Sequence, residues 1–156
     1  MRKTAITLSL FLTSCQTLCP PTSPQYDSYG KEIIFVEDID NKNKTAEHGA
    51  VAKYVNNNPY VYYNANWMRS MPEEMQAFFF QHEVAHFKLK QVKKKPYFAS
   101  LKKQLTMEEQ ADCYSLRYLH DKLHYTSRQI STIYEFASLY LEEERAENLE
   151  TCLMNK

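Results

Sequence analysis

The chain has 156 residues, and its nineteen Lys and Arg side chains balance nineteen Asp and Glu side chains. This length favours a single domain, and a formal net charge of zero gives no indication of binding to nucleic acid or to an acidic membrane surface. Only two glycines accompany twelve tyrosines and eight phenylalanines, a composition that can form a packed core.

The first fourteen residues have the pattern of a secretory signal peptide. A basic start precedes an apolar run that ends at Leu12, and small residues follow. Leu12-Thr13-Ser14-Cys15 resembles the lipobox of bacterial lipoproteins, which implies that Cys15 is the lipid-bearing first mature residue. We therefore expect removal of residues 1–14, export to the cell envelope and anchoring to a membrane through this lipid. The alternatives are a plain signal peptide cut nearby and an initial helix with a structural cysteine.

Residues 15–30 follow with three prolines and several Ser and Thr residues. This composition favours an extended tether over a packed element. We expect the folded domain to occupy residues 31–156. No segment approaches the roughly 20 apolar residues that a membrane-spanning helix requires.

Three short apolar segments predict strands at 31–37, 49–55 and 60–64. The turn signal at 56–59 predicts that the last two strands form an antiparallel pair.

Three capping boxes predict helices in the rest of the chain. Their members are Ser70 with Glu73, Thr106 with Glu109, and Thr126 with Gln129. The first two helices should extend to about Lys90 and Asp121, and a short helix is possible over 97–104. The acidic stretch 142–150 is expected to be the solvated later part of the last helix.

The first of these helices contains the motif H-E-x-x-H, as His82-Glu83-Val84-Ala85-His86. Histidines four residues apart leave one helix face a turn apart. They can therefore share one zinc ion, while Glu83 can act as a base on metal-bound water. At this composition the motif arises by chance in roughly 1% of chains of this length, so it is only suggestive by itself.

A catalytic zinc site needs three protein ligands and an open position for water. Glu108 and Asp112 lie four apart at the start of the next predicted helix and share a face. One can reach the metal while the other accepts the second N–H of a ligand histidine. Glu109 competes with Glu108 for the ligand role, but its place as capping partner of Thr106 already explains it.

H-E-x-x-H followed by E-x-x-x-D on a second helix resembles the gluzincin metallopeptidases of the CAAX-protease and heat-shock-protease type, with the small soluble ImmA/IrrE group among their relatives. Tyr62-Tyr63-Asn64 and residues 109–114 are also similar to those small proteins. The resemblance covers roughly residues 49–120. Ala85 replaces the Gly often found before the second His, and the transmembrane helices of the large members have no counterpart here.

The resemblance implies a role for each matching residue. His82, His86 and Glu108 would bind one zinc ion, Glu83 would be the catalytic base, and Asp112 would support a ligand. It also implies an α+β, zincin-like domain, in which a small antiparallel sheet packs on the H-E-x-x-H helix and two further helices.

We therefore expect a zinc metallopeptidase acting on a peptide or protein substrate. In zincins the strand before the active helix often holds the substrate by strand addition, so Tyr60 to Asn64 would line the cleft. Two alternatives are a zinc-binding lipoprotein that is not proteolytic, and a metal-free domain with a chance motif.

The cysteines suggest one disulfide, because an exported domain meets oxidising conditions. Cys113 lies on the predicted third-ligand helix and Cys152 lies after the last helix. Their pairing would hold the C-terminal helix against the active-site helices. The alternative is two buried free thiols.

Overall fold

The computed structural model describes residues 20–92 and 100–154, and this part of the chain has an α+β architecture. In chain order the elements are β1 (Ile34–Glu37), α1 (Thr45–His48), β2 (Ala50–Val55), β3 (Asn58–Tyr63), α2 (Ala65–Met68), α3 (Glu73–Lys88), α4 (Leu101–Asp121), α5 (Ser127–Tyr140), α6 (Glu143–Leu149) and a 3-10 helix (Glu150–Leu153). Helix α3 lies at the centre, where it packs against β2, β3, α4 and α5.

The predicted signal peptide and the predicted lipid site Cys15 lie outside the described residues. Residues 97–99 of the possible helix over 97–104 also lie outside them, and its residues 101–104 form the first turn of α4. Of the helices that are described, none combines the length and the apolar character needed to cross a bilayer.

The sheet is mixed, with β3 in the middle of the order β1-β3-β2. Strands β2 and β3 form the predicted antiparallel hairpin. Its turn residues Asn56 and Asn57 both have positive φ, as the favoured two-residue hairpin turn requires. Strand β1 instead runs parallel to β3, with Ile34 opposite Tyr60. The expectation of a wholly antiparallel sheet was therefore wrong.

The core forms where the sheet meets α3. The rings of Phe35 and Tyr63 contact Phe80 edge to face, and Tyr54 meets Phe87 in the same way. Helix α3 is buried on most of its surface, which fits its position between the sheet and two helices. Its polar residues in the H-E-x-x-H motif are consequently carried into the interior.

The start of α3 differs from the prediction. The helix begins at Glu73, Pro72 occupies the N-cap position, and no side chain caps it. The hydroxyl of Ser70 instead donates to the carbonyl of Trp67 over 2.6 Å. The predicted capping box at Ser70 was wrong because the helix starts two residues later, with Pro72 instead of Ser70 at the N-cap.

Helix α4 starts earlier than predicted because Ser100, not Thr106, is its cap. The Ser100 hydroxyl accepts the backbone N–H of Lys103. Thr106 lies within the helix, where its hydroxyl donates to the carbonyl of Lys102. The capping role expected for Glu109 was therefore wrong as well.

The predictions for the C-terminal part have mixed outcomes. The capping box of Thr126 and Gln129 is confirmed, and it opens α5. The acidic stretch 142–150 was expected to be the solvated later part of the last helix. It is helical and mostly exposed, but it forms a separate helix, α6, in which Leu149 is fully buried.

The predicted disulfide between Cys113 and Cys152 is confirmed, with 5.0 Å between the Cα atoms. It joins α4 to residues 142–154, which we call the C-terminal segment. Arg117 of α4 adds a second tie by donating from Nε to the carbonyl of Cys152 over 2.8 Å.

The N-terminal segment, residues 20–31, packs on the domain. The carboxylate of Asp27 is buried and accepts the N–H groups of Tyr29 and Lys31 through Oδ1. Its Oδ2 accepts the hydroxyl of Tyr54 on β2 over 2.8 Å. This part of the predicted tether thus belongs to the packed structure, which begins upstream of the expected boundary.

Candidate metal centre

Three side chains from α3 and α4 converge on one point. Nε2 of His82 lies 3.0 Å from Nε2 of His86 and 3.1 Å from Oε2 of Glu108. Nε2 of His86 lies 3.6 Å from Oε1 of the same carboxylate. Ligand atoms bound at zinc distances around a tetrahedral ion would be about 3.3 Å apart. The group could therefore hold a metal ion with only small shifts.

The packing of α3 on α4 delivers these side chains. The spacing of four residues places both imidazoles on one face of α3. On α4, Ala111 is fully buried and leaves room for close approach, and Ser115 donates its hydroxyl to the carbonyl of Phe78 over 2.7 Å. This buried bond sets the position of α4 relative to α3, and Glu108 is thereby brought to the histidines.

Asp112 lies behind His82 on the side away from the ligand atoms. Its Oδ1 is 2.7 Å from Nδ1 of His82. Arg145 of α6 donates from Nε to Oδ2 and from Nη2 to Oδ1, both over 2.8 Å. Asp112 is 2% exposed, so a buried carboxylate is here paired on both oxygens. Its bond to Nδ1 turns Nε2 of His82 toward Glu108.

His86 is held by an amide. Its Nδ1 lies 2.7 Å from Oε1 of Gln91, and Nε2 of Gln91 donates to Oε1 of Gln110 over 3.0 Å. An amide oxygen only accepts, so Nδ1 of His86 carries the proton. Nε2 then has a free lone pair directed at the other two ligand atoms.

The two imidazoles differ in protonation. Burial alone would lower the pKa of His82, but hydrogen bonds to Asp112 and Glu108 outweigh it and raise the pKa to about 10. Burial lowers the pKa of His86, and the neighbouring His82 cation lowers it further. A proton on Nε2 of His82 therefore lies among the ligand atoms in the metal-free protein, and a bound metal ion would displace it.

Both carboxylates are ionised at neutral pH. Burial by itself would raise the pKa of Glu108, but the hydrogen bond to His82 and nearby positive charges lower it to about 2. The pKa of Asp112 is also lowered, because its bonds to His82 and Arg145 outweigh burial. Glu108 is thus in the form that a metal ligand requires.

The other predicted site residues have clear positions. Glu83 is 7% exposed on α3, beside the ligand histidines, and its charge acts on both imidazoles. Glu109, the competitor of Glu108, accepts a hydrogen bond from Nδ2 of Asn148 over 2.9 Å. It does not belong to the group of converging ligand atoms.

The sequence analysis did not identify Arg145 or Gln91. Arg145 is the single basic residue in an acidic stretch, which is a weak signal of an internal partner. Gln91 lies five residues after His86, just beyond the end of α3, and no sequence pattern distinguishes it.

The prediction that Tyr60 to Asn64 bind the substrate by strand addition was wrong. Strand β3 is hydrogen-bonded to β1 on one side and to β2 on the other, so Tyr60 to Tyr63 have no edge for strand addition. Within the described residues the edges belong to β1 and β2, and of these two strands β2 has the more extensive contact with α3.

Comparison with known proteins identifies no relative. No protein-family model, no curated protein and no solved structure is detectably similar to this chain. A function must therefore be argued from the geometry and chemistry of the described residues.

Proposed function

We propose that the protein is a zinc-dependent metallopeptidase that hydrolyses peptide bonds and binds one zinc ion per chain. The observation that carries the proposal is the convergence of His82, His86 and Glu108 at the spacing of a tetrahedral site. Two imidazoles and one carboxylate, with a fourth position open to water, are one of the donor sets found in catalytic zinc sites.

The ligand residues would bind zinc through Nε2 of each histidine and a carboxylate oxygen of Glu108. A bound zinc ion supplies a Lewis acid that polarises the scissile carbonyl and activates water. Glu83 accepts the proton of the attacking water and passes it to the leaving amine. Asp112 and Gln91 keep the two imidazoles in the tautomers that direct Nε2 to the metal position.

The substrate would be an extended polypeptide. Strand β2 is the better partner for strand addition than β3, since β2 lies at the edge of the sheet and against α3. Main-chain pairing of this kind would bind many sequences and needs no particular substrate side chain.

We also propose that the chain is exported and anchored through a lipid on Cys15. The disulfide between Cys113 and Cys152 supports export, because such bonds persist in oxidising compartments. Fatty-acid labelling of cells that express the protein tests the anchor. Label should appear on the wild-type chain and be lost in Cys15→Ala, and an unlabelled wild-type chain would contradict the proposal.

Metal analysis combined with peptide hydrolysis tests the enzymatic proposal. The purified protein should contain one zinc per chain and cleave members of a mixed peptide library, detected by mass spectrometry. Glu83→Gln should keep the zinc and lose hydrolysis. Glu109→Gln is the matched control, because it removes the charge of the residue next to Glu108 but retains an acceptor for Asn148. This variant should keep both the zinc and the hydrolytic activity.

Two results would overturn the proposal. A wild-type protein that binds no zinc at stoichiometric amounts would contradict the metal site. Equal behaviour of wild type and Glu83→Gln on the peptide library would contradict the hydrolytic role and leave a zinc-binding protein without proteolytic activity.

A further inference from the structure

Arg145 reaches the candidate centre from outside the two helices that carry the ligands. Its Nε and Nη2 form a two-pronged contact with both oxygens of Asp112, and its Nη1 lies 3.5 Å from Oε2 of Glu108. The side chain is 12% exposed, so these contacts are largely shielded from water. One guanidinium therefore touches both carboxylates of the centre.

The contact with Asp112 has a geometric consequence. A carboxylate held on both oxygens by a planar guanidinium cannot rotate freely about its terminal bond. Oδ1 is therefore kept toward Nδ1 of His82, at 2.7 Å. The orientation of this imidazole depends on Asp112, and the orientation of Asp112 depends on Arg145.

The contact with Glu108 acts on a less buried ligand. The side chain of Glu108 is 36% exposed, against 2% for Asp112, so it has more room to turn away from the histidines. The nearby guanidinium favours the position in which Oε2 stays close to Nε2 of His82.

The C-terminal segment fixes Arg145 in turn. Cys113, the residue after Asp112, is bonded to Cys152 at the far end of this segment. Asn148 donates to Glu109 of α4, and Leu149 is fully buried. The C-terminal segment is thus attached to α4 just after Arg145, at positions 109 and 113, which lie on either side of Asp112.

We propose that Arg145 is a positioning residue of the metal centre, which orients His82 through Asp112 and restrains Glu108. The inference deepens the proposed function and rests on it, because the role of Arg145 is defined by metal binding. It makes the C-terminal segment a part of the centre, although the H-E-x-x-H and E-x-x-x-D motifs lie entirely outside that segment.

Metal affinity in matched arginine variants tests this role. Zinc affinity is measured on the purified protein by competition with a chelator, and ligand geometry by the visible spectrum of the cobalt-substituted form. Arg145→Met should bind zinc about 10- to 100-fold more weakly, as is typical when a partner of a metal ligand is removed, and its cobalt spectrum should change. Arg145→Lys keeps the positive charge but cannot contact both oxygens of Asp112 at once. Its zinc affinity should therefore lie between those of wild type and Arg145→Met.

Arg117→Met is the matched control. Arg117 also holds the C-terminal segment, through the carbonyl of Cys152, but this contact does not involve the ligand residues. The zinc affinity of Arg117→Met should stay within about twofold of wild type, whereas Arg145→Met should show the larger loss given above. Circular dichroism confirms that each variant is folded. If Arg145→Met does not fold, the Lys variant carries the test.

Three results separate the outcomes. Unchanged zinc affinity and an unchanged cobalt spectrum in the Arg145 variants would overturn the positioning role. Equal losses in the Arg145 and Arg117 variants would also overturn it, because they would indicate general loosening of the C-terminal segment. Failure of the wild-type protein to bind zinc would instead overturn the metallopeptidase proposal itself.

Discussion

The two histidines of the candidate centre come from one helix but have partners of opposite character. His82 is hydrogen-bonded to Asp112 of α4, and Asp112 forms a buried ion pair with Arg145 of the C-terminal segment. His86 is hydrogen-bonded to the neutral amide of Gln91, which in turn donates to the amide of Gln110. The pKa of His82 is raised and that of His86 is lowered.

This difference separates two tasks that the motif alone does not distinguish. The charged side fixes one ring in an orientation that depends on distant parts of the chain. On the neutral side, the nearby Gln91 accepts from Nδ1 of His86 and leaves Nε2 of this ring unprotonated. One ring therefore carries the proton that a metal ion would displace, and the other is ready to bind.

The largest expected effect comes from removing either imidazole. His82→Ala and His86→Ala should both lose stoichiometric zinc in metal analysis. The first should also lower the free energy of unfolding of the metal-free protein by about 1–3 kcal/mol more than the second, because it leaves buried Asp112 without one partner. Urea unfolding in the presence of a chelator measures this. Equal destabilisation by His82→Ala and His86→Ala would contradict the difference between the partners of the two histidines.

Removal of the disulfide should act mainly on the His82 side. The double variant Cys113→Ser/Cys152→Ser should lower the free energy of unfolding by roughly 2–4 kcal/mol. It should also perturb the ring signals of His82 more than those of His86 in NMR spectra, since only the former depends on the C-terminal segment. Larger shifts at His86 would contradict the asymmetry.

Replacing one partner on each side compares the two supports directly. Asp112→Asn should weaken zinc binding about 10- to 100-fold, because it removes the charge behind His82 and one of the two carboxylates that contact Arg145. Gln91→Ala should weaken it only a few-fold, since His86 can bond to water where Gln91 was. Chelator competition gives both affinities, and a larger effect for Gln91→Ala would invert the comparison.

The last prediction concerns the pH dependence of the metal-free protein. The pKa of His82 in the folded state, about 10, lies above its ordinary value of 6.5. Its contribution to stability is therefore complete below pH 6.5 and is lost as the pH rises toward 10. The pKa of His86 is lowered, so its ring should titrate below pH 6.5. NMR titration of the imidazoles checks both directions, and two rings titrating together near pH 6.5 would contradict them.

Features set by local spacing could be predicted from the sequence. The common face of His82 and His86 follows from helix geometry, and the hairpin follows from its asparagine-rich turn. The position of Glu108 followed only from resemblance and from the need for a third ligand. The structure places its carboxylate 3.1 Å from His82.

Features set by tertiary packing could not be predicted. Arg145 lies 33 residues after Asp112, and nothing local indicates that α6 folds back onto α4. The parallel pairing of β1 depends on where a distant strand lies. The caps predicted at Ser70 and Thr106 were wrong because the backbone path decides where a helix starts. Helix α3 starts after Pro72 and α4 after Ser100.

The packed N-terminal segment has a consequence for how far the domain could stand from a membrane. Pro20 already lines a cavity with Leu119 and Tyr125, and it is only five residues from Cys15. Five residues of fully extended chain span at most about 18 Å, less than half the thickness of a bilayer with its headgroups. An acyl group on Cys15 would thus hold the domain within this distance of the membrane. A peptidase anchored in this way would act on polypeptides close to the lipid surface.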